Sequence, residues 1–456
     1  MSSFLHRLWN SLVVKPSQPS KAPPAKRVKA VSAPLRQSGN VPGAVAALAA
    51  IGARRPLMDS DGAIAGFEFC IDDEILRRLR QRSDHQGRAA YVSAVLTSAR
   101  LMTQTGRIGF ARVPSDWLVD AKDVECAAGA WIGIEHGTHS DDSAVQLQTL
   151  AQLVPQLRAT GAKVGWDVTF GLDLPPEFLL LHQRSDPMPA LLEAIKTWPM
   201  ALQSLPTLMT DVSKIEDLEL ALSSGISYAC GALGPKEFSV KPSEVRTIPP
   251  EIHRVGHLLN QLVIGTETSV IVRDIKSDVG LSYRLLRRMN SASFAQLSEE
   301  TSIDQAVLIL GRNELYRWLL LLLVQFSGKR KASSALQEVT LWRSRLMELL
   351  AIENNEPSPS QIFTLGLASM LGTLLKISLD EVVNTLNLSG PARQALLEQT
   401  GPWNDYLQMA LQVEANKLGD NNSLAEQFGG GERITALSDE AWEWAWAAEH
   451  ANRDVA

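Results

Sequence analysis

Two histidines four residues apart, His253 and His257, fall on one face of a helix-like stretch, a spacing at which two imidazoles can share a metal ion. Glu251 lies off that face and no nearby carboxylate or thiol completes the set, so exposed or packing histidines are the favoured reading. Three cysteines, Cys70, Cys126 and Cys230, stand far apart with no Cys-x-x-Cys spacing. Three cannot all pair within one chain, and free, mostly buried thiols in a reducing cytoplasm are expected. Gly429-Gly430-Gly431 lacks the strand before it and the Lys-Ser/Thr after it that a phosphate cradle needs, and reads as a hinge. Beyond it Trp442, Trp444 and Trp446 alternate with other residues. On a helix they spread over more than half the circumference. Trp442 and Trp446 are expected to dock on the chain's own bundle and Trp444 to stay partly exposed, with a partner surface as the alternative.

These residues sit in a chain of 456, enough for two or three domains. Hydrophobic residues make up 45% and charged residues 21%, which excludes a wholly disordered, collagen-like or coiled-coil chain. Residues 1–58 hold nine Lys/Arg and no Asp or Glu, so the remainder carries 35 basic against 50 acidic residues. A body that acidic is a poor phosphate-backbone binder and argues against nucleic acid as a partner. No apolar run reaches the ~18–20 residues that span a bilayer, and the N-terminus lacks the pattern of a signal peptide. Phe4, Leu5, Leu8, Trp9, Leu12 and Val13 recur at helical spacing beside Arg7 and Lys15, so residues 1–15 are a candidate peripheral membrane contact, a short docking helix being the alternative. Pro16 to Pro34 reads as a flexible linker.

From Met58 to Phe238 short apolar runs (Ala63–Cys70, Arg107–Val113, Ala130–Glu135, Lys163–Thr169, Phe178–His182, Thr207–Met209 and Ile226–Ala229) alternate with helix-like stretches. That alternation predicts a parallel sheet with crossover helices. A full eight-unit barrel usually takes ~250 residues, and roughly 180 are present, so an incomplete barrel is expected. After a proline-rich boundary, residues 239–250, strand signals almost vanish and helical periodicity continues to about residue 450. Ser302, with Gln305 three residues on, is read as a helix cap.

In the helical half Ser277-Asp-Val-Gly-Leu281, Leu285-Leu286, Met289-Asn290-Ser291-Ala292, Ile303, Ala306 and Leu310-Gly311 resemble an HDOD domain over most of residues 249–420. Asn and Ser favour helix ends, so the Asn290-Ser291-Ala292 motif is read as a satisfied helix corner. HDOD domains resemble HD phosphohydrolases, whose chemistry needs a His-Asp pair. Here Ser369 and Met370 occupy that place, and no histidine falls between His257 and His450, so metal-dependent hydrolysis by this half is not expected.

The first half resembles a degenerate EAL domain, the family that hydrolyses cyclic di-GMP. Gly66-Phe-Glu-Phe69 lies where the signature strand belongs, Trp131-Ile-Gly-Ile-Glu135 matches the second glutamate strand, and Gly161–Gly171, Thr207–Leu218 and Gly225–Gly231 follow in order. The family's mechanism implies two metal ions on strand-end carboxylates. Ala111 or Arg112 replaces the expected asparagine, Val168 and Thr169 the paired aspartates, Thr210 and Ser213 two later glutamates, and Cys230 a glutamine; the catalytic lysine is missing from Phe178–His182. Glu68, Glu135 and Asp167 survive as residual ligand-binding candidates, and solvated or hydrogen-bonded strand-end carboxylates are the favoured reading.

The resemblance implies the EAL–HDOD two-domain signalling architecture. The expected fold is an α/β incomplete or degenerate TIM-like barrel followed by an all-α HD-like domain. Its divisions are a basic tail at 1–58, a barrel at 59–238, a linker at 239–250 and an HDOD-like domain at 251–450, with Asn290, Ser291, Ala292 and Gly311 as motif residues. The expected function is a cytoplasmic, non-catalytic adaptor for other signalling proteins, without cofactor or metal. The alternatives are cyclic di-GMP hydrolysis, or weak binding of cyclic di-GMP without hydrolysis.

Overall fold

The structure, a computed structural model, describes residues 54–70, 85–120, 124–137, 144–183, 187–231, 250–289, 302–326, 332–375, 377–415, 418 and 422–453. The Phe4–Val13 segment, nearly all of the basic tail, the proline-rich boundary up to residue 249 and the Asn290-Ser291-Ala292 motif lie outside these residues.

Eight strands close into a barrel in sequence order. They are β1 (Arg54–Asp59), β2 (Ile64–Cys70), β3 (Ile108–Pro114), β4 (Trp131–Glu135), β5 (Lys163–Trp166), β6 (Leu179–His182), β7 (Thr207–Val212) and β8 (Tyr228–Gly231). Strands β2 to β8 pair in parallel, while β1 runs antiparallel to both β2 and β8. The expectation of an incomplete barrel is therefore corrected. The eighth strand comes from Arg54–Met58, which the sequence reading assigned to the tail, and a tight hairpin joins it to β2 without a crossover helix. Asp59 builds that turn: its carboxylate accepts from the amides of Asp61 at 2.9 Å and Ala63 at 3.0 Å, and Gly62 supplies the positive φ. Short crossovers save the remaining length: α1 (His85–Thr103), α2 (Ser115–Leu118), α3 (Ala144–Ala159), α4 (Met188–Lys196), α5 (Met200–Gln203) and α6 (Ile215–Ser223).

Alternation along the strands divides the barrel's residues. Leu57, Phe110, Phe178, Leu180, Leu208 and Cys230 form one buried cluster filling the interior. Phe67, Ala111, Ile132, Val164 and Met209 face outward into a second cluster. Gly66 allows β2 to approach β3, since a Cβ there would stand 2.0 Å from the Ile108 carbonyl oxygen.

The second half is helical: α7 (Pro250–Val263), α8 (Thr268–Lys276), α9 (Val279–Met289), α10 (Ile303–Gln325), α11 (Ser333–Glu353), α12 (Pro359–Leu375), α13 (Leu379–Leu386), α14 (Gly390–Arg393), α15 (Asn404–Glu414), α16 (Ser423–Gln427) and α17 (Gly431–Arg453). Gly311 breaks α10 with φ 70° and ψ 170°, a conformation glycine alone adopts freely, which gives the Leu310-Gly311 motif a mechanical meaning. Ser302 stands at the N-cap of α10, but its hydroxyl bonds Asp304 rather than the helix backbone; the capping box is at Ser378 and Glu381. Gly366 lets α12 lie against α11, because a Cβ there would stand 2.6 Å from the Ser344 Cα.

The outer apolar cluster is continuous from the barrel into the helices. The face of the β1–β2 hairpin, left bare by the missing crossover, is covered by α17 and α11. Trp442 meets Phe67 edge-on at 4.9 Å and stacks on Trp342 at 4.8 Å, and Trp444 meets Phe363 edge-on at 5.8 Å. Trp446 is 41% exposed, with the Arg107 guanidinium over its ring. The expected docking pair is thus corrected: Trp442 and Trp444 are buried and Trp446 is the exposed member. Because α17 lies between the barrel and its own bundle, two of its faces are covered. Among the described residues no helix is long and apolar enough to cross a membrane.

Candidate functional site at the barrel mouth

Inward-pointing side chains at the carboxyl ends of the parallel strands converge on one charged network, the place where barrels of this type carry their chemistry. Glu68, from β2, is wholly buried. Its Oε2 lies 2.8 Å from Nε of Arg55 on β1 and its Oε1 lies 3.0 Å from Nε of Arg112 on β3. These are ion pairs more than well-aimed hydrogen bonds. The Cys230 thiol, from β8, donates to Oε2 at 2.9 Å. The second arm of Arg112 reaches Asp211 Oδ2 at 2.5 Å and Glu135 Oε1 at 3.3 Å, while Nη2 of Arg55 lies 3.3 Å from Asp211 Oδ1. His182, at the end of β6, completes the ring: Nδ1 is 2.8 Å from the Thr210 hydroxyl and 3.5 Å from Asp211, and Nε2 is 3.7 Å from Glu135.

Local backbone explains how Asp211 gets there. Pairing between β7 and β8 shifts register between Met209 and Val212, and Asp211 has φ 62°. This bulge turns Asp211 into the mouth beside Thr210, a distortion that the three basic side chains hold in place.

Charge governs the protonation states. Burial pushes the Glu68 carboxyl up, but Arg112, Arg55 and the Cys230 thiol outweigh it and hold the group below the usual carboxylate range. Asp211 is likewise held below its ordinary value, burial being outweighed by the His182 hydrogen bond and by Arg112 and Arg55. Burial alone would lower Arg55 and Arg112, yet the facing carboxylates raise both. Burial, and then the neighbouring Glu68, push the Cys230 thiol well up.

Of the three carboxylates read from the sequence, the structure brings Glu68 and Glu135 together around Arg112. Asp167 is not joined to them. It sits past β5, where its Oδ1 accepts from the Thr169 amide at 2.7 Å and the Thr169 hydroxyl at 2.5 Å, an Asx turn. Arg112 takes the inward place expected of asparagine. The sequence reading missed Arg55, as tail charge, and Asp211; the alternation of Arg55 with Leu57 ahead of an Asp-Gly turn was the available signal for the first.

A two-metal site does not fit these residues. The oxygens that would coordinate cations are occupied by two guanidinium groups, whose charge also opposes a divalent ion. Among the described residues, no group of three or more His, Cys, Asp or Glu is placed to hold a metal ion. The corresponding place in the helical half is similar. Buried Ser369 accepts from Arg343 Nη1 at 3.0 Å, and Arg343, wholly buried, is ion-paired with Glu414. His253 and His257 lie on the exposed side of α7, His257 meeting the Gln261 amide at 3.0 Å.

Residues 246–399 match the HDOD domain family. The Bacillus subtilis (strain 168) protein YuxH is 32% identical over 173 residues, 37% of this chain and 42% of that protein. The cyclic di-GMP phosphodiesterase CdgJ of Vibrio cholerae is 26% identical over 197 residues, 42% and 44% of the two chains. The match thus spans less than half the length of either relative. Among solved structures, the Xanthomonas citri FimX EAL domain in complex with c-diGMP is 14% identical, covering 39% of this chain and 84% of that one with a TM-score of 0.31. An eight-stranded barrel thus precedes a helical segment that matches the HDOD domain family.

Proposed function

We propose that the chain is a non-catalytic signalling adaptor that works through protein–protein contact, its barrel being a degenerate member of the EAL type. The observation that carries this reading is Arg112. It stands where the metal-binding asparagine belongs in the family and ties Glu68, Glu135 and Asp211 to its own guanidinium. Without carboxylate-held cations, none of the described groups at the mouth is placed to activate water against a phosphodiester. Glu68 is ionised but sequestered, and His182 is engaged on both nitrogens. A fold that has shed its catalytic groups keeps surfaces on which partners dock. The test is incubation of the full chain with cyclic di-GMP and Mg²⁺ or Mn²⁺, with product separated chromatographically. No turnover above a Glu68→Ala control is expected, and turnover above it would refute the reading.

A second reading is binding of cyclic di-GMP without hydrolysis, for which the relation to the phosphodiesterase CdgJ suggests the ligand alone. Two guanidinium groups at the mouth are the chemistry for a phosphodiester, provided that it displaces Asp211 or Glu135 from Arg112. Calorimetric titration with cyclic di-GMP separates the two readings. Heat that vanishes in Arg112→Ala favours the receptor, and its absence favours the adaptor.

A further inference from the structure

The mouth network and the contact between the two halves are built on opposite faces of the same two strands. On β1, Arg55 points inward to Glu68 and Asp211, while its neighbour Arg54 points outward to Asp439 of α17 at 2.6 Å. On β2, Glu68 points inward, while its neighbour Phe67 points outward against Trp442. Arg55 and Glu68 are direct cross-strand partners, and Arg54 faces Phe69 one step on. Below them Arg107 pairs with Glu338 of α11 at 2.7 Å, its guanidinium also resting over Phe67 and Trp446. The Ala335 amide donates to the Gly62 carbonyl at the hairpin turn at 3.0 Å. The hairpin is therefore held from inside by ions and from outside by α11, within the stretch that matches the HDOD family, and by α17, beyond it.

We propose that the β1–β2 ribbon is the coupling element between the barrel mouth and the helical half, with α17 as its strap: an event that releases Arg55 from Glu68 inside the barrel loosens α17 outside it. The ribbon suits this role because it has no crossover helix of its own. Mouth ions hold one face of it, and Phe67, Arg54 and Gly62 hold the other, where α1 also packs against β2. A shift of the Arg55–Glu68 pair displaces Arg54 and Phe67, which are covalently next to it. The coupling is independent of whether the mouth hydrolyses anything, and so stands or falls separately from the adaptor reading.

Hydrogen exchange on the full chain tests it, since α17 amides are bonded within their helix and exchange only when it opens locally. Arg55→Gln is expected to speed exchange across Asp439–Trp446 about tenfold, within the range of coupled sites, while α1 and α3 keep their rates. His182→Gln, which reaches the ribbon only through Asp211, is expected to move α17 less than Arg55→Gln does. By reciprocity Asp439→Asn, a mild change at the strap's rim, is expected to speed exchange in β1 and not in β5 or β6, and this arm serves if Arg55→Gln does not fold. Unchanged α17 rates in Arg55→Gln, an equal rise in α1, α3 and α17, or an unchanged β1 in Asp439→Asn would each overturn the coupling.

Discussion

Replacing Arg112 by alanine removes the one cation that touches all three mouth carboxylates, and its effect should depend on pH in a way that identifies the cause. Among the described residues, the wholly buried Glu68 would keep Arg55 and the Cys230 thiol, Asp211 would keep Arg55 and His182, and Glu135 would keep His182. Removing one partner of a buried ion pair costs about 3–5 kcal/mol because a charge is left uncompensated. The surviving Arg55 places the loss at the lower end, about 3 kcal/mol at neutral pH. In the intact protein the folded Glu68 carboxyl lies below its unfolded value of about 4.3. It therefore contributes stability that is fully present above that pH and is lost as pH falls through the folded value. In Arg112→Ala burial has less to oppose it, so the folded value rises toward or above the unfolded one. Protonation then relieves the variant just where it penalises the parent, and the gap between the two proteins narrows from pH 7 to pH 4. Urea unfolding followed by tryptophan fluorescence and far-ultraviolet circular dichroism measures it, coincident curves supporting a two-state treatment. A loss under 1 kcal/mol at pH 7, or a gap that stays constant with pH, would refute the charge account of the mouth.

Phe67→Ala empties the face on which Trp442 rests and is expected to cost about 3–5 kcal/mol by the same unfolding measurement. Arg107→Ala removes the ion pair of Glu338, which is 2% exposed at the junction, and should destabilise by about 3 kcal/mol, with Glu338→Gln restoring part of that loss in the double variant. Gly366→Ala places a Cβ 2.6 Å from the Ser344 backbone and is expected to lower stability by about 1–3 kcal/mol or more, since backbone cannot give way as a side chain can. All three cysteines are buried, and burial first of all raises Cys70 and Cys230 above the usual thiol value; a disulfide thiol reagent should thus label neither in the native protein and all three in urea, whereas fast native labelling of Cys230 would contradict its burial beside Glu68.

The parallel strands were legible because buried strands read as short apolar runs between helices, and β2 to β8 fall on those runs. The hairpin strand was not: Arg54-Arg55-Pro56 continues the charge pattern of the tail, and nothing local reveals that Arg55 will meet carboxylates from β2 and β7 and Arg54 one from α17. Glu68 and Glu135 were found by motif, and their partners by geometry alone. Asp211 reaches the mouth through a bulge, which period-two alternation does not foresee, and Asp167 leaves it through an Asx turn with Thr169. The tryptophans failed for another reason. A single apolar stripe presumes one covered face, whereas α17 is covered by the barrel through Phe67 and by the bundle through Trp342 and Phe363. Gly311 was read as a motif residue without its role, which needs the positive φ to be seen.

The central claim is that arginines hold the carboxylates where cations would otherwise sit. Titrating Mn²⁺ against the full chain and following the free-ion electron paramagnetic resonance signal tests it most directly. The account predicts the same free Mn²⁺ in the parent and in Glu68→Gln at every concentration. Loss of signal in the parent that Glu68→Gln abolishes would place a cation in the mouth and contradict it.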